Sequence, residues 1–142
     1  MRALLDVNVL VALLDENHTH NAAAETWLAG NIHHGWASCP LTQNGCVRIL
    51  SQPAYPNTLT VADAVMRLRA AISTPHHLFV PDSVSLLDDP VVDCQRLLRP
   101  RQLTDVYLLA LAVEHGCRLV TFDTSISIAA VRQADAQSLV VV

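Results

Sequence analysis

The sequence contains no lysine, and all nine of its basic residues are arginine. Mechanisms that need an invariant lysine, such as those of P-loop and receiver domains, are therefore excluded. Arginine suits bidentate recognition of phosphate. The formal net charge of −4, however, is not typical of a nucleic-acid-binding protein. Codon bias in a GC-rich genome explains the arginines as a set better than a basic binding surface does.

Long apolar runs are also missing, since none approaches the roughly 18 residues that a membrane span needs. The stretch MRALLDVNVLVALLD carries Asp6 among its apolar residues and lacks a small-residue cleavage site, so we expect no signal peptide. The four cysteines show no C-x-x-C spacing and are expected to pack as small hydrophobic residues. These absences predict a cytoplasmic protein without a membrane partner.

What is present is enough apolar sequence for one core. The chain has 142 residues, of which 51% are hydrophobic and 15% charged, so we expect a single domain over residues 1–142. Short apolar strands alternate with helical segments, which predicts a three-layer α/β/α sandwich around a mostly parallel central sheet. Strands are predicted at RALLD, GWASC, HHLFVPD, RLVTFD and SLVVV.

Helices are predicted between these strands from caps and stop signals. Thr19 is expected to cap a helix that Gly30 ends, and Thr104 to cap a helix that Gly116 ends. A further helix, DPVVDCQRLLRP, is expected to end at Pro100. The remaining predicted helices are VNVLVALL, residues 40–50 and the segment TVADAVMRLRAAIS, capped by Thr60.

Three aspartates are predicted to meet at one edge of the sheet. Asp6 and Asp123 each end a strand, and Asp105 opens the helix before the Asp123 strand. In parallel sheets, ligands bind beyond the carboxyl ends of the strands. Each aspartate also has a purely structural interpretation: Asp6 as a helix cap, Asp105 as a charge at a helix N-terminus, and Asp123 as a turn residue.

Carboxylates gathered at a half-buried edge repel one another unless one is protonated or a cation lies between them. Oxygen ligands without histidine or cysteine favour Mg²⁺ or Mn²⁺. An ion held by aspartates can orient and ionise a water that attacks a phosphate ester. The pattern therefore favours a nuclease or a phosphatase.

Four stretches of the chain, LLDVNVLVALL, PLTQNGCVRIL, QLTDVYLLALAVEHG and LVTFD, together resemble the PIN-domain ribonucleases, and in particular the VapC toxins of toxin–antitoxin modules. The resemblance implies an endoribonuclease that uses Mg²⁺ or Mn²⁺ and a metal-activated water. It also implies a homodimer that a VapB-type antitoxin neutralises. Asp6, Asp105 and Asp123 match three of the four acids of this family and are the implied metal ligands.

The fourth acid is replaced, because the family's motif resembles LTENGFVR and this chain reads LTQNGCVR. Gln43 therefore occupies the place of a glutamate. An amide has no charge and cannot act as a base, so we expect weakened or absent cleavage. The alternative is an inactive PIN-fold protein that binds antitoxin or RNA without cleavage.

Several residues near the acids are candidates for supporting roles, on less specific sequence patterns. Asn8 is expected to orient a water or simply to begin a helix, and Thr104 and Thr121 to hold the acids by hydrogen bonds. Three arginines before Asp105 are candidates for contacts with RNA phosphates, although a solvated helix face is the favoured interpretation. These arginines are Arg96, Arg99 and Arg101. No histidine is expected to take part.

Overall fold

The computed structural model describes all residues, 1–142, and contains five strands and five α-helices. The strands are β1 (Arg2–Leu5), β2 (Trp36–Ser38), β3 (His77–Phe79), β4 (Cys117–Thr121) and β5 (Leu139–Val141). The α-helices are α1 (Val7–Leu14), α2 (Asn21–Asn31), α3 (Pro40–Leu50), α4 (Val61–Ile72) and α5 (Leu103–Glu114). None of these helices has the length and apolarity needed to cross a membrane.

The sheet has the order β3-β2-β1-β4-β5, and every neighbouring pair is parallel. The predicted parallel α/β fold is therefore confirmed. β1 lies in the centre, so its carboxyl end is flanked by the ends of β2 and β4. Residues that follow these three strands must meet at one edge, because neighbouring parallel strands lie only about 4.8 Å apart.

Two apolar layers cover the two faces of the sheet. Alternate residues of β1 point to opposite faces, so Leu4 packs with the α5 layer while Ala3 and Leu5 pack with α1, α3 and α4. The helix α5 is apolar on nearly every side and is buried against the sheet. This three-layer packing fixes the direction in which α5 begins, at the same edge where β1 ends.

The boundaries of α2 differ from the prediction. His20, not Thr19, is the N-cap residue, and it makes no side-chain capping hydrogen bond. Gly30 lies inside the helix, where a Cβ would meet nothing within 4 Å. The chain turns instead at Gly35, whose φ of 76° is unfavourable for residues with a side chain.

The helix predicted at residues 89–100 is absent. This segment contains turns, two short 3₁₀ segments and an isolated antiparallel bridge between Val92 and Val131. The Asp93 side chain accepts a hydrogen bond from the Gln95 backbone N–H, which competes with helical bonding. Burial of Val92 against a distant part of the chain therefore overrides the local helical pattern.

Thr104 does not cap α5. The helix begins two residues earlier than predicted, at Leu103, and Gln102 is its N-cap residue. The Gln102 side chain accepts hydrogen bonds from the backbone N–H groups of Leu98 and Arg99, which folds the preceding residues into a 3₁₀ turn. Asp105 nevertheless lies in the first turn of α5, as predicted.

Candidate functional site

Asp6 lies at the carboxyl end of the central strand and is 7% exposed. Its Oδ1 accepts a 2.6 Å hydrogen bond from the Val7 backbone N–H, so it caps α1. Its Oδ2 accepts a 2.7 Å hydrogen bond from the Thr121 hydroxyl. Burial raises the pKa of Asp6, although these two hydrogen bonds oppose the shift. The capping role is real, and it holds the carboxylate in one orientation at the edge.

Asp105 has the most perturbed carboxylate of the three. Burial raises its pKa to about 6, and the negative charges of Asp6 and Asp123 add to the shift. The Asp105 side chain accepts no hydrogen bond that would stabilise its ionised form. The three aspartates predicted to converge are therefore close enough for their charges to interact.

Asp123 follows β4 by two residues and is tied to its own loop. Its Oδ1 accepts hydrogen bonds from the backbone N–H and the hydroxyl of Ser125, at 2.7 and 2.6 Å. These bonds lower the pKa of Asp123, and the positive charge of Arg101 lowers it further. Asp123 therefore remains ionised beside Asp105, while its Oδ2 makes no hydrogen bond within the protein.

Gln43 lies in the first turn of α3, directly after β2. The next turn of α3 packs closely against the start of α1, since a Cβ on Gly45 would lie 2.8 Å from Val7 Cγ2. The Gln43 Nε2 donates a 2.9 Å hydrogen bond to Ser38 Oγ. Its Oε1 accepts no hydrogen bond within the protein and is open to solvent.

The three residues predicted to support the acids differ in their contacts. Thr121 is fully buried and bonds Asp6 directly. The Asn8 amide donates to Thr121 Oγ1 at 3.0 Å, and its Oδ1 accepts from the Phe122 backbone N–H at 3.2 Å. Asn8 therefore anchors the end of β4. Thr104 is exposed and its side chain makes no hydrogen bond, so it does not hold an acid as predicted.

The three arginines separate into two groups. Arg99 and Arg101 line a cleft of about 400 Å³ together with Asp105 and Asp123. Arg96 instead pairs with Asp93 at 3.3 Å and lines a different depression. Arg96 is thus removed from the acids, because residues 93–97 form a short 3₁₀ turn rather than part of the expected helix.

Two histidines contact this edge, although the sequence pattern assigns no histidine a role. His77 Nε2 lies 2.8 Å from the hydroxyl of Ser38, which also bonds Gln43. His20 stacks on Phe122, with ring centroids 4.7 Å apart. Phe122 is the residue that separates Thr121 from Asp123 in the sequence. Neither histidine stands near an acid motif in the sequence, so no local pattern could have found them.

The fold and the three aspartates define a parallel α/β domain with an acidic site at the carboxyl ends of its strands. The sequence profile described as the PIN domain matches residues 3–132 of the chain. The ribonuclease VapC44 of Mycobacterium tuberculosis is 54% identical over 139 residues, which are 98% of each chain. The ribonuclease VapC38 of the same organism is 45% identical over 125 residues, 87% of this chain and 86% of the relative. The chain therefore belongs to the PIN-domain family, in its VapC group.

Solved structures of low sequence identity share this fold. Mycobacterium tuberculosis VapC20, described as a toxin that cleaves the sarcin–ricin loop, has a TM-score of 0.62 at 14% identity, covering 93% of this chain and 98% of its own. VapBC2 from Rickettsia felis, bound to a promoter DNA fragment, has a TM-score of 0.59 at 13% identity. It covers 87% of this chain and 89% of that one.

Proposed function

We propose that the chain is a divalent-metal-dependent endoribonuclease toxin of a type II toxin–antitoxin system, with a site weakened by Gln43. The observation that carries this proposal is the placement of Asp6, Asp105 and Asp123 at the edge formed by the carboxyl ends of neighbouring parallel strands, near enough for their charges to raise the pKa of Asp105. A fold gains nothing from gathering repelling carboxylates, so their convergence supports a ligand of opposite charge. The relatives VapC44 and VapC38 are named ribonucleases, which supports the same class of reaction.

The donor set at this edge fits Mg²⁺ or Mn²⁺. All three side chains offer carboxylate oxygens, the ligands that these ions prefer. No group of three or more His, Cys, Asp or Glu side chains is arranged to hold a metal ion on its own. The proposal therefore needs only one or two direct carboxylate ligands, with waters completing the shell, which is the usual manner of Mg²⁺ binding.

We assign direct metal ligation to Asp6 and Asp105, and contact through water to Asp123. When bound, the ion would supply a Lewis acid that polarises the phosphodiester and promotes ionisation of water. Thr121 would fix the orientation of Asp6. Arg99 and Arg101, which share the cleft with Asp105 and Asp123, would bind the phosphates that flank the scissile bond.

We further propose a VapB-type antitoxin as the partner and a homodimer as the assembly. An open groove of about 500 Å³ between α1, α2 and α4 has mostly apolar walls, which suits an apolar segment of a partner protein. Its apolar lining includes Leu10, Leu13, Leu28, Ile32 and Trp36. Copurification with the antitoxin and size-exclusion chromatography test these two proposals separately.

A second candidate function is binding without cleavage, and the observation that favours it is Gln43. An amide at this position leaves the edge with three carboxylates, which weakens the attraction for a divalent ion. Calorimetric titration with Mn²⁺ distinguishes the two functions. Binding that Asp105→Asn abolishes supports the nuclease, and no binding at millimolar Mn²⁺ supports the binder.

Cleavage of a labelled RNA pool in Mg²⁺ or Mn²⁺ tests the proposed reaction. We expect cleavage that EDTA stops and that Asp6→Asn abolishes. Asp63→Asn is the matched control, because Asp63 is an exposed acid in the first turn of α4 and should leave cleavage unchanged. Cleavage that persists in EDTA or in Asp6→Asn contradicts the proposal.

A further inference from the structure

Gln43, Ser38 and His77 form a continuous chain of hydrogen bonds. The distances are 2.9 Å from Gln43 Nε2 to Ser38 Oγ and 2.8 Å from Ser38 Oγ to His77 Nε2. Ser38 is fully buried at the end of β2, and His77 opens β3, the neighbouring parallel strand. The His77 ring also meets Trp36 edge-on, with centroids 4.5 Å apart. The sheet register pairs His77 with Trp36, and the His77 ring reaches Ser38, two residues further along β2 on the same face.

The direction of each hydrogen bond follows from the available protons. The amide nitrogen of Gln43 can only donate, so Ser38 Oγ accepts from it. The single hydroxyl proton of Ser38 then has His77 Nε2 as its acceptor. This direction requires a neutral His77 ring with its proton on Nδ1. Burial lowers the pKa of His77, and the nearby Arg2 lowers it further, which agrees with a neutral ring.

This chain of bonds determines which end of the Gln43 amide is held. Its nitrogen is engaged by Ser38, and its Oε1 is left without a partner in the protein. Ser38 follows Ala37, which pairs with Leu4 of β1, so the end of β2 that holds Gln43 lies beside the end of β1 and Asp6. The free oxygen of Gln43 is therefore the group that the side chain has available for the carboxylate edge.

We propose that His77, acting through Ser38, is a positioning residue for position 43, and that the three side chains form a reversible hydrogen-bond relay. With Gln43 the bonds run from residue 43 toward His77. With a glutamate at position 43 they would run the other way, because a carboxylate only accepts. Ser38 would then donate to the carboxylate and accept from a proton on His77 Nε2. The role of position 43 in catalysis rests on the proposed nuclease function, but the relay itself does not.

A purely structural His77 would pack against Trp36 in the same way whatever residue occupies position 43. The two interpretations therefore differ in one observable, the nitrogen of the His77 ring that carries the proton. This observable requires neither RNA nor metal. Failure of the nuclease proposal would leave it unchanged.

Long-range ¹H–¹⁵N correlation spectra of the histidine rings in the full chain test the relay. We expect unprotonated His77 Nε2 in the native protein and protonated Nε2 in Gln43→Glu, at a pH where the exposed histidines are neutral. His76, the exposed neighbour of His77, makes no side-chain hydrogen bond and should keep one tautomer pattern in both proteins. The same His77 tautomer in both proteins, or protonated Nε2 in the native one, would overturn the proposal.

The side-chain amide signals of Gln43 provide the second measurement. His77→Leu removes the acceptor for Ser38 and should shift these signals, whereas His77→Gln retains a carbonyl acceptor and should restore them toward the native positions. Ser38→Ala should cause the largest shift, because it removes the direct partner. Gln43 amide signals that are unchanged in both His77→Leu and Ser38→Ala would refute the relay.

Discussion

Thr121 Oγ1 donates a 2.7 Å hydrogen bond to Asp6 Oδ2 and thereby joins the end of β4 to the end of β1. The same hydroxyl accepts 3.0 Å hydrogen bonds from the Asn8 amide and from the Asp123 backbone N–H. One buried side chain thus orients one candidate acid, the backbone of a second and the asparagine that anchors the strand.

Replacing Thr121 with valine tests this coupling, because valine keeps the shape and removes the hydroxyl. We expect a loss of about 1–3 kcal/mol in the free energy of unfolding, since buried polar groups are left without a partner. Urea denaturation measures the loss. Thr124→Val, at an exposed threonine of the same loop, should be nearly neutral. Equal effects of the two substitutions would contradict the coupling.

The acidic edge predicts a pH-dependent stability for the metal-free protein. Folding raises the pKa of Asp105 from 3.8 to about 6, so the folded state favours the protonated acid. This contribution to stability is complete below pH 3.8 and is lost as pH rises through about 6. Asp105→Asn should therefore be more stable than the native protein at higher pH, and the difference should vanish in acid.

Above pH 6, we expect the free energy of unfolding of Asp105→Asn to exceed that of the native protein by about 1–2 kcal/mol. This figure is smaller than the full pKa shift would give, because the Asp105 side chain is partly solvated. Thermal or urea unfolding across the pH range, in EDTA, measures the difference. Saturating Mn²⁺ should make the native protein the more stable of the two, because only the native protein gains stability from binding the ion. If the stability of both proteins changed with pH in the same way, ionised Asp105 would not destabilise the fold, and the prediction would be wrong.

Arg101 and Arg96 should differ in their effect on RNA binding. Arg101 lies in the cleft with Asp105 and Asp123, whereas Arg96 is engaged by Asp93. Arg101→Gln should weaken binding of a short single-stranded RNA and reduce the slope of log affinity against log salt by about 1. Arg96→Gln is the matched control and should leave the slope unchanged. Fluorescence anisotropy over a salt series measures both, and equal slopes for all three proteins would rule out the contact.

The parallel sheet and the places of the aspartates could be predicted from the sequence. Short apolar runs end at Asp6 and Asp123, and such runs followed by helices predict strands whose ends meet. Asp105 could be placed because it stands near the start of a strongly apolar segment. The catalytic roles of these residues and of Gln43 stay predictions, since they rest on chemistry that only activity and binding measurements test.

Features that depend on strand register could not be predicted. His77 lies 39 residues beyond Ser38, and the two meet only because β3 pairs with β2 in one register. The helix predicted around Val92 fails for a similar reason, because Val92 pairs with Val131. Long-range pairing decided both cases, and a periodic pattern in a short window contains no information about it.

Gln43→Glu tests the central claim, that three carboxylates at this edge form a nuclease site missing its fourth acid. The measurement is the rate of RNA cleavage in Mg²⁺ or Mn²⁺ by the native chain and by this variant. We expect the variant to cleave roughly ten- to a hundredfold faster, because a fourth charge strengthens ion binding and orientation. Asn44→Asp adds the same charge on the exposed side of α3 and should not accelerate cleavage. Equal rates for the native chain and Gln43→Glu, or equal acceleration by Asn44→Asp, would contradict the claim.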